Sequence, residues 1–131
     1  MPDTKIQLRL LIGGFQFGPG KADLLDLIAR HGSISAAGRA MQMSYKRAWS
    51  LVEEMNQAFR APLVTAERGG AGHGGAKVTE AGQNILNAYR RLQAQAETAG
   101  SAEIAAITAQ LQDKPALPAA PAQDNDMFDQ T

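Results

Sequence analysis

Between Gly69 and Gly75 the chain reads GGAGHGG, five glycines in seven residues. Glycine has no side chain to pack and loses the most backbone freedom on ordering, so such a run does not belong inside a helix or a packed strand. Short extended runs flank it, Leu63-Val64-Thr65 before and Ala76-Lys77-Val78-Thr79 after. The pattern predicts a hairpin with an open glycine tip at the surface.

Upstream, two helices with a tight junction are expected. Ser33 or Ser35 can cap the first, whose apolar edge Ile34, Ala37, Met41 is set among small residues, Ala36, Gly38 and Ala40. Gly38 costs roughly 1 kcal/mol against Ala in a helix interior, which marks it as a close-contact position. Ser44 caps the second helix, about Tyr45 to Phe59, with Ala48, Leu51, Val52, Met55 and Phe59 on one face. Pro62 bars further helix. A short helix, a turn of about three residues and a longer helix are the order of a helix-turn-helix, and a hairpin directly after it is a wing.

The flanks complete the fold class. Ile6, Leu8, Leu10 and Ile12 alternate with other residues and predict a strand from Lys5 to Ile12, ended by Gly13-Gly14, with Phe15-Gln16-Phe17 as a second extended piece. Leu24, Leu25, Leu27 and Ile28 predict a helix from Lys21 to Arg30 with Asp23, Asp26 and Arg30 facing water, closed by Gly32. Thr79 caps a final helix in which Ile85, Tyr89, Leu92, Ala96 and Ala99 fall 4, 3, 4 and 3 apart, a heptad-like seam. Twenty helical residues would be ~30 Å long, more than one small domain covers. A dimer joined through Ile85, Tyr89, Leu92 and Ala96 is therefore expected. Gly100-Ser101 interrupts the helix, and from Asp113 the Pro, Ala, Gln and Asp residues suggest a disordered tail. The expected architecture is mainly α with a small β-sheet: a winged helix-turn-helix with a long C-terminal dimerisation helix over residues 1–100, then a short helical extension and acidic tail over 101–131.

Composition narrows the function. The chain of 131 residues has no Cys and two His, His31 and His73, too few for a Cys-based zinc site, a disulfide framework, a thiol nucleophile or a three-His metal centre. No nucleophile, base and acid can be grouped from its scattered acids, so no enzyme and no cofactor are expected. No leader pattern and no run of the ~18–20 apolar residues a bilayer needs is present, which predicts a cytoplasmic protein away from membranes. The formal net charge is zero, but residues 1–100 hold 12 Lys and Arg against 8 Asp and Glu, while residues 101–131 hold 1 against 5. The basic body suits a polyanionic partner.

The candidate DNA surface follows. Lys46, Arg47 and Ser50 sit near the N-terminus of the second helix, away from its apolar stripe, where free N–H groups and the helix dipole favour phosphate. Arg47 can donate two bonds to a guanine edge, Lys46 can meet a base or a phosphate, and Ser44, Tyr45 and Ser50 can reach phosphate oxygens. Glu53 and Glu54 would repel DNA and mark where the contact surface ends. Trp49 suits a core anchor beside Tyr45 and Val52 better than a base-stacking residue. On the wing, Arg68, His73 and Lys77 are available for the minor groove or phosphate. The literal G-x-G-x-x-G at Gly70, Gly72 and Gly75 lacks the strand, turn and helix of a dinucleotide site and is set aside. The plain alternatives are a solvated basic face and an ordinary hairpin. Competing functions are a protein–protein adaptor with vestigial DNA binding and an oxyanion carrier using the glycine loop as an anion nest.

The run GSISAAGRAMQMSYKRAWSLVEEMNQ, then the glycine-rich hairpin and KVTEAG, resembles the N-terminal DNA-binding domain of the ModE family of molybdate-responsive transcriptional regulators, from about Lys5 to about Gln95. A looser resemblance, through GSISAA and VTEAG, is to the N-terminal domain of the LysR family. The ModE resemblance implies a homodimer on a pseudo-palindromic operator in double-stranded DNA, usually repressing molybdate-transport genes. It places DNA contacts on Ser44, Tyr45, Lys46, Arg47 and Ser50, with the wing from Arg68 to Lys77. Family members continue into β-rich modules that bind molybdate. Here 31 residues follow Gly100, so those modules are not expected in this chain and molybdate is implied by the resemblance alone.

Overall fold

The computed structural model describes residues 4–68 and 74–112. It begins with a two-stranded antiparallel hairpin, β1 (Leu10–Ile12) and β2 (Phe15–Phe17), turned by Gly13 and Gly14 with φ of +52° and +89°. Positive φ at both turn positions is the geometry that matches strand twist, and glycine adopts it without strain. The predicted strand from Lys5 is thus shorter than the alternation suggests. Residues 4–9 form no strand; α4 side chains bond the backbone of Ile6 and Leu8 instead.

Helix α1 (Pro19–His31) starts two residues before the expected Lys21, because Pro19 pre-sets the φ of a first helical residue. Gly32, at φ +68°, ends it. Helix α2 (Ile34–Ala40) is capped by Ser33, whose Oγ accepts from Ala36 N at 3.0 Å, and α3 (Tyr45–Ala58) by Ser44, whose Oγ accepts from Arg47 N at 3.0 Å. A Cβ on Gly38 would stand 3.0 Å from Ala48 Cβ, so the missing side chain is what lets α2 lie against α3.

Strands β3 (Val64–Arg68) and β4 (Gly74–Val78) pair antiparallel from Val64↔Val78 to Arg68↔Gly74, forming the wing. Thr79 caps α4 (Glu80–Ala99), and Gly100 separates it from α5 (Ser101–Thr108), which buries no residue. Leu24, Leu25, Ile28, Val52, Met55 and Leu63 are fully buried where α1, α3 and the root of the wing meet. Each such side chain stabilises the fold by ~1.5–3 kcal/mol relative to exposure. Phe17 and Tyr89 close the other side, edge to face with ring centroids 5.2 Å apart.

Candidate nucleic-acid interface

The wing is fastened at three points, each traceable to a particular residue. Asn56, in the last turn of α3, accepts from Leu63 N at 2.8 Å and Val64 N at 3.2 Å through Oδ1 and donates from Nδ2 to Val64 O at 2.9 Å. Ala76 N donates to the Gly32 carbonyl at 2.9 Å, tying β4 to the end of α1. Thr79 N donates to Leu63 O at 2.9 Å, and its hydroxyl donates to Pro62 O at 2.7 Å while accepting from Gly82 N. The wing and α3 therefore form one rigid frame.

On α3, Tyr45, Lys46 and Ser50 are exposed, and Tyr45 shows 58% of its surface to solvent. Ser44 is exposed with its oxygen used as the cap, so its proton is available to donate outward. Arg47 is only half-buried, on the side of the helix where its charge is felt by Lys21. The outward ridge is thus Lys46 and Ser50, with Arg47 at its flank. Trp49 is half-buried against the core and edge-on to Tyr45 at 6.2 Å. On the wing Lys77 is exposed and faces Thr65 across the strands. Arg68 lies on β3 with its backbone paired to Gly74, while His73 and the glycine tip fall outside the described residues.

Glu54 is not a solvated acid at the edge of the surface. It stands 3.2 Å from the ammonium of Lys21, a residue only 5% exposed at the start of α1. Burial lowers the Lys21 pKa below its ordinary 10.5, against the upward pull of Glu54. Lys21 also lies 5.3 Å over the Phe15 ring. Nothing in the sequence around Lys21 marks Glu54 as its partner, and only tertiary structure brings the two together. Glu53 is exposed.

The α4 seam differs from the expected one. Tyr89 is 3% exposed and its hydroxyl donates to Leu8 O at 2.6 Å; Gln93 Nε2 donates to Ile6 O at 2.6 Å, and Ile6 N donates to Glu97 Oε2 at 3.3 Å. Residues 89, 93 and 97 form one stripe that holds the chain's own N-terminal segment, so Tyr89 belongs to the core rather than to a free seam. An apolar face beside it stays open, and Tyr89 contributes to its lining. Ile85 and Leu92 line a cleft of about 350 Å³ with Leu10, Ile12, Phe15 and Phe59, and Ile12 and Leu92 are 63% and 38% exposed. Ala96 is half-buried. Among the described residues no group of His, Cys, Asp and Glu could hold a metal, and no helix is long and apolar enough to cross a membrane.

Two helices packed through a glycine and followed by a fastened hairpin define a winged helix-turn-helix. The model of the family described as "Bacterial regulatory helix-turn-helix protein, lysR family" matches residues 21–83. Over its N-terminal part the chain is similar to proteins named MopB and ModE. It is 46% identical over 81 residues to the molybdenum-pterin-binding protein MopB of Rhodobacter capsulatus, covering 62% of this chain and 30% of that protein. It is 38% identical over 76 residues to the molybdenum transport protein ModE of Azotobacter vinelandii, 58% of this chain and 28% of the relative. With the DNA-binding transcriptional dual regulator ModE of Escherichia coli K12 it shares 42% over 71 residues, 54% of this chain and 27% of that one. The matched region thus spans less than a third of each of these relatives. Among solved structures, the DNA-binding domain of CbnR in a DNA complex superposes with a TM-score of 0.51 at 22% identity, covering 67% of this chain and 95% of that one. Full-length LysG from Corynebacterium glutamicum superposes with a TM-score of 0.50 at 27% identity over 72% of this chain and 30% of that one. Both superpositions show the winged-helix fold.

Proposed function

We propose that this protein is a sequence-specific, DNA-binding transcriptional regulator of ModE type, a repressor in a molybdate-linked circuit, acting in the cytoplasm as a homodimer on a pseudo-palindromic operator. It is a binding module, not a catalyst. The observation that carries the reading is the exposure of Ser44, Tyr45, Lys46 and Ser50 at the N-terminal end of α3, in a frame that Asn56 locks to the wing bearing Lys77. A helix end of that kind offers donors to base edges and phosphates, and the wing adds a second set. The relatives' names speak of molybdenum, and molybdate as the signal rests on the resemblance to the ModE family.

The test is selection of bound fragments from genomic DNA, with and without molybdate, followed by salt titration. A shared palindromic sequence in the selected fragments, and an affinity falling steeply with salt, is expected. Arg47→Ala should cost ~1–3 kcal/mol on the selected sequence and relax its specificity, while Lys77→Ala should weaken selected and random duplexes alike. No detectable affinity for any duplex at about 50 mM salt would instead favour the adaptor reading, in which the apolar cleft beside α4 is the functional surface.

A further inference from the structure

Gln42 is the one residue other than glycine with positive φ among the described residues, at +59°, and it stands in the turn between α2 and α3. A left-handed backbone costs a side-chain-bearing residue energy that glycine does not incur, and such outliers cluster where function needs the side chain. Gln42 is also exposed. Its backbone is held in place, since Gln42 N donates to Arg39 O at 3.0 Å and Met43 N to Gly38 O at 2.9 Å. A turn with these bonds is the natural place for glycine, yet the chain keeps a long amide there.

One turn back, Arg39 is exposed and its guanidinium donates to Ser35 Oγ at 2.8 Å. The buried face of α2 is Ile34, Ala37 and Gly38, so Ser35 and Arg39 lie on the other side. Among the described residues no carboxylate pairs with Arg39, and the whole stretch 27–52 contains no Asp or Glu while it carries Arg30, Arg39, Lys46 and Arg47. Arg39 and Gln42 are exposed, Ser35 is half-buried beside Arg39, and only Met43 separates Gln42 in the chain from the exposed Ser44, Tyr45 and Lys46 at the start of α3.

We infer that Ser35, Arg39 and Gln42 form a phosphate-binding edge on the DNA-facing side of α2, which grips the backbone of the duplex whose groove α3 enters. This rests on the DNA-binding reading and adds to it. Every group on the edge can donate: the Ser35 hydroxyl keeps its proton because its oxygen accepts from Arg39, the guanidinium keeps its remaining N–H groups, and the Gln42 amide has two. Donors to phosphate set register without reading sequence. The edge therefore contributes to all duplexes equally.

The experiment compares the full chain with Arg39→Ala, Gln42→Gly and Lys46→Ala on a random-sequence duplex and a genomically selected one, each of about 30 base pairs, enough for two half-sites, with thermal unfolding run in parallel. Arg39→Ala should lose about tenfold in affinity on both duplexes and reduce the slope of log affinity against log salt by about one, with an unchanged thermal midpoint. Gln42→Gly should bind several-fold more weakly while its midpoint holds or rises, a split that a purely structural residue would not show. If Arg39→Ala unfolds, Arg39→Gln serves in its place. Unchanged affinity and salt slope in the Arg39 variant, beside a weakened Lys46→Ala, would overturn the inference and leave the DNA reading standing. A Gln42→Gly midpoint below that of the unmodified chain would assign Gln42 to the fold and overturn its part. Absence of binding by the unmodified chain would overturn both readings.

Discussion

The ammonium of Lys21 lies 3.2 Å from the Glu54 carboxylate, joining the first turn of α1 to the third turn of α3 across the side of the core. Lys21 is 5% exposed, whereas the Glu54 side chain is 31% exposed, so the cation is the group that depends on its partner. Removing only Glu54 leaves the buried ammonium without its carboxylate, with the Phe15 ring as the weaker contact that remains. Glu54→Ala is expected to cost about 3 kcal/mol in urea unfolding, while Lys21→Met, which replaces the charge with an apolar chain of similar length, should be near neutral or stabilising. The pH dependence has a definite sign. Because burial holds the folded-state pKa below 10.5, the unfolded chain binds more protons between the folded value and 10.5, and this group's contribution to stability rises with pH across that window. Without Glu54 the rise should begin at lower pH. Equal stability losses in Glu54→Ala and Lys21→Met would show that the pair is not asymmetric in this way.

Asn56 makes the most economical contact between the helix tip and the wing. Its Oδ1 serves two amides and its Nδ2 one carbonyl, so Asn56→Ala strands three backbone groups near the protein interior. Loss of about 2 kcal/mol is expected from unsatisfied groups of this kind. Asn56→Asp keeps the acceptor and loses the donor to Val64 O, and should fall between the two. Hydrogen exchange provides the check: the amides of Leu63 and Val64 should lose protection in Asn56→Ala and keep most of it in Asn56→Asp. Loss of protection at both in Asn56→Asp would mean the Nδ2 bond, not the acceptor, fixes the wing.

Features that depend on local chemistry were legible in the sequence; those that depend on which face meets which were not. Ser33, Ser44 and Thr79 cap the helices as their types and positions imply, and Gly38 is the close-contact residue its helix cost suggested. Gly82 shows the limit. A Cβ there would overlap the Leu63 carbonyl and stand 2.8 Å from Val78 Cγ1, so α4 starts pressed onto the wing root, yet in the sequence it is only a glycine after a cap. The alternation from Ile6 to Ile12 overstated the strand because the backbone of Ile6 and Leu8 is bonded by α4 side chains rather than by a neighbouring strand. Spacing on α4 was satisfied by more than one set of residues, and Tyr89 fell to the inward set because its hydroxyl finds Leu8 O there. Lys21 with Glu54, Arg39 with Ser35, and the positive φ of Gln42 became visible only with coordinates. For Ser44 to Ser50 the residue types and their place at a capped helix start were already informative, although the half-burial of Arg47 was not.

Tyr89 supplies a prediction at alkaline pH. Burial raises its pKa above the ordinary 10.0. Above pH 10 the unfolded chain loses a phenolic proton that the folded chain retains, so deprotonation favours unfolding and stability falls as pH rises through that range. Tyr89→Phe removes both the hydrogen bond to Leu8 and this titration. The variant should be less stable by about 1 kcal/mol at neutral pH, and the gap should narrow above pH 10. A gap independent of pH from 8 to 11 would mean that the phenol ionises alike in both states, contrary to its burial.

The apolar face that remains open beside α4 carries the homodimer part of the proposal. Tyr89, Gln93 and Glu97 bond the chain's own residues 6–8, so the apolar face of α4 left for a second copy is the stripe that includes Ile85 and Leu92, with Ile12 of the β1–β2 hairpin in the same cleft. Leu92 is 38% exposed, and a charge placed there is solvated in the monomer but desolvated in a dimer. Leu92→Glu should therefore leave helix content and the thermal midpoint at high dilution unchanged while shifting sedimentation toward the monomer. Tyr89→Ala should behave oppositely, lowering the midpoint by cutting a residue that is 3% exposed out of the core. Because a dimer spans two half-sites, the Leu92→Glu monomer should also show roughly half the salt slope of the parent on the selected duplex. If Leu92→Glu sediments as the unmodified chain does, the copies do not meet through this stripe, and the long helix must owe its exposed side to some other contact.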